Sequence, residues 1–186
     1  MQKQILVALL LACAACRGGK SSKPASVNGT IGGQPMDAQD STSNIYSFDA
    51  DSEGLVYIMN VASSCAMLTA GNQPSNAKVI AIQIAVKSAT GISAPSAVGT
   101  YPMYTAANVG GANGNVALAR YQTSDATCNP TSDIEASSGS VTLTRVDATI
   151  YAGNFDMTFS NGDHVTGSFN ANRCDALTPT IGGTCI

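Results

Sequence analysis

The sequence predicts an all-β domain, an antiparallel sandwich or barrel of about eight to ten strands. Three observations predict it. Short apolar runs alternate with polar residues at period two, the spacing of a strand with one buried face. Turn-forming residues are dense, with 18 Gly and 7 Pro in 186 residues, and Ser, Thr and Asn fill most gaps between the apolar runs. No stretch carries a sustained helical period. Hydrophobic residues make up 44% of the chain and the formal net charge is -3, a composition that buries a core and is not that of a disordered chain.

The elements follow in chain order. "SVNGTIGGQPM" offers a first short strand pair around its glycines, and "IYSF" a strand after it. "GLVYIMNVA" and "KVIAIQIAVK" are the strongest runs. In the second, Ile80, Ile82, Ile84 and Val86 share one face while Val79, Ala81 and Ala85 share the other, which predicts a strand covered on both sides. "GTYPMYT" carries Pro102, which lacks a ladder donor and predicts an edge strand. "NVALARYQ", "GSVTLTRVD", "ATIYAGNFDMTF" and "HVTGSFNA" complete the set. "SCAMLTA", residues 64 to 70, has room for one helical turn. "GGANGN", residues 110 to 115, is a Gly/Asn loop, and no helix pattern follows it to make a phosphate cradle.

The last two strands hold the single histidine of the chain, His164. Phe155, Met157 and Phe159 alternate with polar residues before the turn, and Val165 and Phe169 do so after it. Both apolar sets must face one core, because a one-residue slip reverses every side chain. Pairing Phe159 with Val165 and Phe155 with Phe169 meets that condition. It places Ser160 opposite His164 and leaves Asn161, Gly162 and Asp163 as a three-residue loop. His164 is thus expected on the solvent face beside a turn, with neither an orienting group nor a nucleophile at useful spacing.

Other chemistry is sparse. "DADSEG", residues 49 to 54, imitates the first half of an EF-hand loop, with Asp49, Asp51 and Glu53 as weak candidates for a hard cation. Glu53 stands where Asp or Asn is required, Asn60 stands where the bidentate Glu belongs, and the flanks read as strands. An acidic turn is the expectation, and no metal or other cofactor is assigned. The chain has no G-x-S-x-G or H-E-x-x-H motif. Charged residues are 11% and aromatics 5%, with no Trp, which argues against nucleic acid as a partner and against a base- or sugar-stacking platform.

The N-terminus reads differently. In "MQKQILVALLLACAACRGG", Lys3 precedes an uncharged apolar stretch from Ile5 to Ala15, and small residues lead to Cys16. Charge, apolar run and small residues in that order are the layout of a secretory signal, and the run is shorter than the roughly 20 residues a membrane span needs. Its end resembles the lipobox of bacterial lipoproteins, in which cleavage occurs just before a Cys that carries lipid. The resemblance implies lipid on a cysteine, as a diacylglyceryl group plus an N-acyl chain, in one of two registers: "LLAC" places it on Cys13, and its leucines fit the family pattern better, whereas "CAAC" places it on Cys16. The cysteine count and the length of the apolar run favour Cys16. Cys16 leaves Cys65, Cys128, Cys174 and Cys185, an even set, in the exported part. Residues 1–15 are then the signal peptide, residues 16–26 a lipidated tether with Arg17, Lys20 and Lys23, and residues 27–186 a single all-β domain. Among these lipoproteins an Asp directly after the lipid Cys marks inner-membrane retention. Arg17 lacks it, which implies the outer membrane or the cell surface.

Exported cysteines pair. Locality favours Cys174–Cys185 with Cys65–Cys128, and Cys65–Cys174 is the rival. None of the four sits in a C-x-x-C pair, so zinc is not indicated. In texture, residues 138 to 169 resemble the strand repeats of small β-rich bacterial lipoproteins of unknown function. The expectation is a membrane-anchored, non-enzymatic structural or binding protein. A barrel that carries an apolar ligand is the alternative, and a hydrolase is a third reading with no triad to support it.

Overall fold

A computed structural model describes residues 24–179 and 183–186. Cys13 and Cys16 lie outside the described residues. The chain forms β1 (Ala25–Ile31), β2 (Gln34–Pro35), β3 (Asp40–Phe48), β4 (Asp51–Met59), a short helix α1 (Ser64–Thr69) and β5 (Asn72–Gln73). There follow β6 (Lys78–Ser88), β7 (Gly91–Ser93), β8 (Gly99–Pro102), β9 (Gly114–Ser124), β10 (Pro130–Val146), β11 (Ile150–Phe159), β12 (His164–Arg173) and β13 (Thr184–Cys185). The protein is all-β, as expected, and the choice between sandwich and barrel falls to a closed barrel of seven strands.

The barrel runs β11–β10–β9–β6–β4–β3–β12 and closes where β12 pairs with β11. One seam is parallel. Asn172 and Arg173 of β12 meet Thr42 and Ser43 of β3, so the sheet is mixed where pure antiparallel pairing was expected. The rest of that edge of β12 is taken by β1, with Ala25 opposite Phe169 and Gly29 opposite Val165. β1 opens at Ala25, inside the stretch expected as tether.

Two strands run longer than their apolar runs suggest. β3 begins in "DSTSN", and Ser41, Thr42 and Ser43 are buried there. Ser43 Oγ donates to the Ala171 carbonyl (2.8 Å) and Ser41 Oγ to the Pro24 carbonyl (3.0 Å), which satisfies two hydroxyls inside the seam. β10 pairs with β9 through Pro130–Glu135, bends at a register shift between Ala136 and Ser138, and then pairs with β11. Gly139 follows the bend at φ 117°, where a Cβ would stand 2.1 Å from the Asp156 carbonyl oxygen, so only glycine fits.

β8, expected at an edge because of Pro102, is laddered with β10 alone and lies off the main strand path, where β9 and β10 part. It pairs with β10 at residues 140–143, and Met103 bridges Ala117 of β9. Pro102 is tolerated in this four-residue strand, and the next two N–H groups, of Met103 and Tyr104, reach the Gly139 and Ala117 carbonyls.

The chain buries two apolar cores. The barrel interior holds Ile80, Ile82 and Ile84 of β6 with Val56 and Ile58 of β4, and Phe155, Met157, Val165 and Phe169 of the last hairpin. The outer face of the same two central strands carries Leu55, Tyr57, Met59 and Val79. That second face is covered by α1 and the C-terminal tail, which accounts for the two-sided apolar pattern of "KVIAIQIAVK".

The disulfides hold this cover down, and they correct the expected connectivity. Cys65 of α1 is bonded to Cys174 and Cys128 to Cys185, with Cα separations of 5.6 and 5.7 Å. Neither Cys174–Cys185 nor Cys65–Cys128 forms, and the rival Cys65–Cys174 does. Locality misleads because the tail does not loop back on itself. From Cys174 it crosses the outer face of β4, where Asn44 Nδ2 donates to the Leu177 carbonyl (2.9 Å) and Tyr57 Oη to the Pro179 carbonyl (2.7 Å). It ends as β13, parallel to β5, with the N–H groups of Thr184 and Ile186 bonded to the Gly71 and Gln73 carbonyls.

Candidate functional site

The last hairpin keeps the predicted faces but not the predicted register. Met157 lies opposite Val165, Phe155 opposite Gly167 and Gly153 opposite Phe169, a slip of two residues. A two-residue slip preserves inside and outside. The register is fixed by an aromatic ring lying over a glycine. A Cβ on Gly167 would sit 2.2 Å from Cζ of Phe155, so Phe155 occupies the space that a side chain at 167 would need. Two phenylalanines directly opposite each other would forfeit that fit.

The slip lengthens the loop. Thr158, not Ser160, stands opposite His164. The Phe159 N–H donates to the Asp163 carbonyl (2.8 Å), and Gly162 takes φ 89°. Asp163 Oδ2 accepts the Gly32 N–H (2.6 Å), tying this loop to the β1–β2 turn.

His164 lies on the outer face, exposed, as expected. Sequence reasoning assigned it no orienting group, and the structure supplies one: Asp156 Oδ1 stands 2.8 Å from Nε2. The two residues are eight apart in sequence and become neighbours only in the slipped register. Both are more than half exposed. Among the described residues Asp156 is the only side chain bonded to the ring, and no hydroxyl completes a triad around it.

Around this pair the outer face is a ladder of small polar side chains. Thr100, Thr142, Asn154, Ser168 and Ser26 form one row across β8, β10, β11, β12 and β1. Pro102, Ser140, Asp156, Thr166 and Asn28 form the next. Ser138, Thr158 and His164 begin a third. Within the first row, Thr100 and Thr142 are hydroxyl-bonded at 3.2 Å and Ser26 and Ser168 at 2.9 Å. The inward neighbours on the same strands, among them Val141, Leu143, Phe155 and Val165, are buried.

The weak cation candidates do not converge. Asp49 occupies the β3–β4 turn at φ 52°. Asp51 Oδ1 accepts the Ile92 N–H (2.7 Å), pinning β7. Glu53 Oε1 accepts from Gln83 Nε2 (3.2 Å), and burial raises its carboxyl pKa, partly offset by that hydrogen bond. Burial, and then the nearby Glu53 carboxylate, push the Tyr57 phenol well above its ordinary range. Among the described residues no three His, Cys, Asp or Glu side chains come together to hold a metal ion.

The interior leaves little room. Ile58, Ile80, Ile82, Ile84, Val141, Met157 and Val165 have no exposed surface, so no water-sized void lies against them. The largest side chains, Tyr101, Tyr151 and Phe159, also point into this core. A surface groove of about 310 Å³ lies near the Cys128–Cys185 bridge, lined by Val79, Pro74, Pro130 and Pro179 with Gln122 and Asp133. Arg120 Nε holds Asp133 Oδ1 there at 2.8 Å. Compared with known proteins, the chain matches no family model, no curated protein and no solved structure.

Proposed function

We propose that this protein is an exported lipoprotein, anchored in the outer membrane or at the cell surface by lipid on Cys16, and that its barrel serves a non-enzymatic binding or structural role. The observation that carries this reading is the order of charge, apolar run, small residues and Cys in residues 1–16, ahead of a domain with two disulfides. The bridges agree with folding in an oxidising, extracytoplasmic compartment. Together they use all four cysteines beyond Cys16, which supports the parity argument for that position over Cys13. Two or more acyl chains, at about 0.8 kcal/mol per buried methylene, hold a protein on a bilayer stably.

The packed interior favours a surface role over carriage of an apolar ligand inside the barrel. The solvent-open His164–Asp156 pair, with no nucleophile bonded to it, favours a non-enzymatic role over hydrolysis. Mass spectrometry of the mature N-terminus tests the anchor. The expected peptide begins at Cys16 and carries lipid. A lipid-bearing peptide that begins at Cys13 would move the site, and a lipid-free mature chain would end the lipoprotein reading.

A further inference from the structure

We propose that Glu53, with Tyr46 and Phe48 beside it on β3 and Gln83 on β6, forms a binding site for a guanidinium group, the head of an arginine side chain. The site lies on the outer face of the central strands. Tyr46 stands directly opposite Glu53 in the β3–β4 ladder. Gln83 stands opposite Leu55, two residues along β4 and on the same face. All four side chains of the site are partly exposed. The Tyr46 and Phe48 rings are stacked, with centroids 5.9 Å apart and planes at 26°. Gln83 Nε2 donates to Glu53 Oε1 (3.2 Å), and neither Glu53 Oε2 nor Gln83 Oε1 has a hydrogen-bond partner among the described residues.

The fold gives no account of the carboxylate. A half-buried charge costs stability unless a counter-charge meets it. The lysines and arginines of the described residues are all engaged elsewhere. Arg120, Arg145 and Arg173 lie beside Asp133, Asp147 and Asp175, and Lys78 and Lys87 donate to the Pro35 and Val109 carbonyls. The Tyr57 hydroxyl, close enough to feel the Glu53 charge, gives its proton to the Pro179 carbonyl. Burial raises the Glu53 pKa, as it does for an acid that no cation compensates. A glutamine would fill the same space without that cost, so packing alone does not call for an acid here.

The groups present select the ligand. A hard metal ion needs several oxygens, and this site has one carboxylate: Asp51 is held by the Ile92 N–H, and no three acids converge among the described residues. A neutral or anionic ligand leaves the half-buried charge unmet. An ammonium is a compact point charge, which meets the carboxylate but has no flat face to lay on a ring. A guanidinium uses every group. Its fork gives two parallel N–H bonds to the Glu53 carboxylate, and a further N–H reaches Gln83 Oε1. Its plane lies on the Tyr46 ring, which stacking on Phe48 holds in place. The inference rests on the binding role proposed above and not on the lipid, so the mass spectrum of the N-terminus and the titration below fail separately.

The test is titration of the full-length chain, in neutral detergent at neutral pH, with arginine amide, read by calorimetry and by the shift in melting temperature. Saturable binding at a single site and a raised melting temperature are expected. Lysine amide should bind at least about tenfold more weakly. Glu53→Gln removes the charge, keeps the shape, and should lower the affinity for arginine amide at least about tenfold. Tyr46→Leu keeps the carboxylate and should lower it about threefold. Asp156→Asn, on the outer face of β11, should bind as the parent does. Circular dichroism matching the parent identifies each variant as folded. No saturable binding, equal binding of lysine amide, or unchanged affinity in folded Glu53→Gln or Tyr46→Leu would overturn the proposal.

Discussion

The barrel interior and the outer face of β4 and β6 are built from alternate residues of the same two strands, yet they are closed in different ways. The interior is ringed by seven strands and held by backbone ladders on every side. The outer face is closed by α1 and a tail with few backbone bonds of its own, stapled by bridges that span 109 and 57 residues of sequence. Apolar burial stabilises both. Only the interior has a continuous hydrogen-bonded wall. The outer core substitutes covalent closure for that wall, an option open to a domain that folds where thiols oxidise. The difference implies an order of failure: the cover opens before the barrel.

Gly167→Val carries the largest expected effect. It sets a branched side chain against the Phe155 ring and the Ser26 carbonyl oxygen, so a loss of more than about 4 kcal/mol, or no soluble protein, is expected. Chemical denaturation or soluble yield reads it. A variant within about 1 kcal/mol of the parent would break the register argument. Next is the paired replacement Cys65→Ser with Cys174→Ser. Chain entropy for so long a loop predicts about 4–5 kcal/mol, within the usual range for a native bridge. Hydrogen exchange should rise first at Leu55, Tyr57 and Leu177 while the ladder between β10 and β11 stays protected. Equal loss in both regions would show one cooperative core in place of two.

Tyr57→Phe removes the bond to the Pro179 carbonyl and should cost about 0.5–1.5 kcal/mol, read as a shift in the denaturation midpoint. Glu53→Gln tests the electrostatics of the covered face. The folded Glu53 pKa lies above its unfolded value, so the parent should lose stability as pH rises from below about 4.5, the reverse of the usual paired carboxylate. The Gln variant should match the parent at low pH and melt higher at neutral pH. A parent profile that rises with pH through that window, with no gain in the variant, would contradict the burial. The smallest effect belongs to His164→Ala, expected within about 0.5 kcal/mol because both partners of its hydrogen bond are exposed.

The sequence by itself determined the all-β class, the double-sided burial of β6, the helical turn at α1, the solvent position of His164 and the pairing of all four cysteines of the folded part. Each rests on local pattern, and period-two alternation is a property of neighbours. Tertiary structure decided the rest. Barrel closure depends on a parallel seam in which Ser41, Thr42 and Ser43 are buried, and small polar residues give no apolar signal of that. The hairpin slipped by two because alternation specifies a face, whereas the fit of the Phe155 ring over Gly167 specifies a register. The same slip brought Asp156 to His164, a partnership that the expected register hid. Disulfide connectivity followed the path of the tail across Tyr57 rather than distance along the chain, because closure entropy varies only slowly with loop length and the covered apolar face determines where the tail lies.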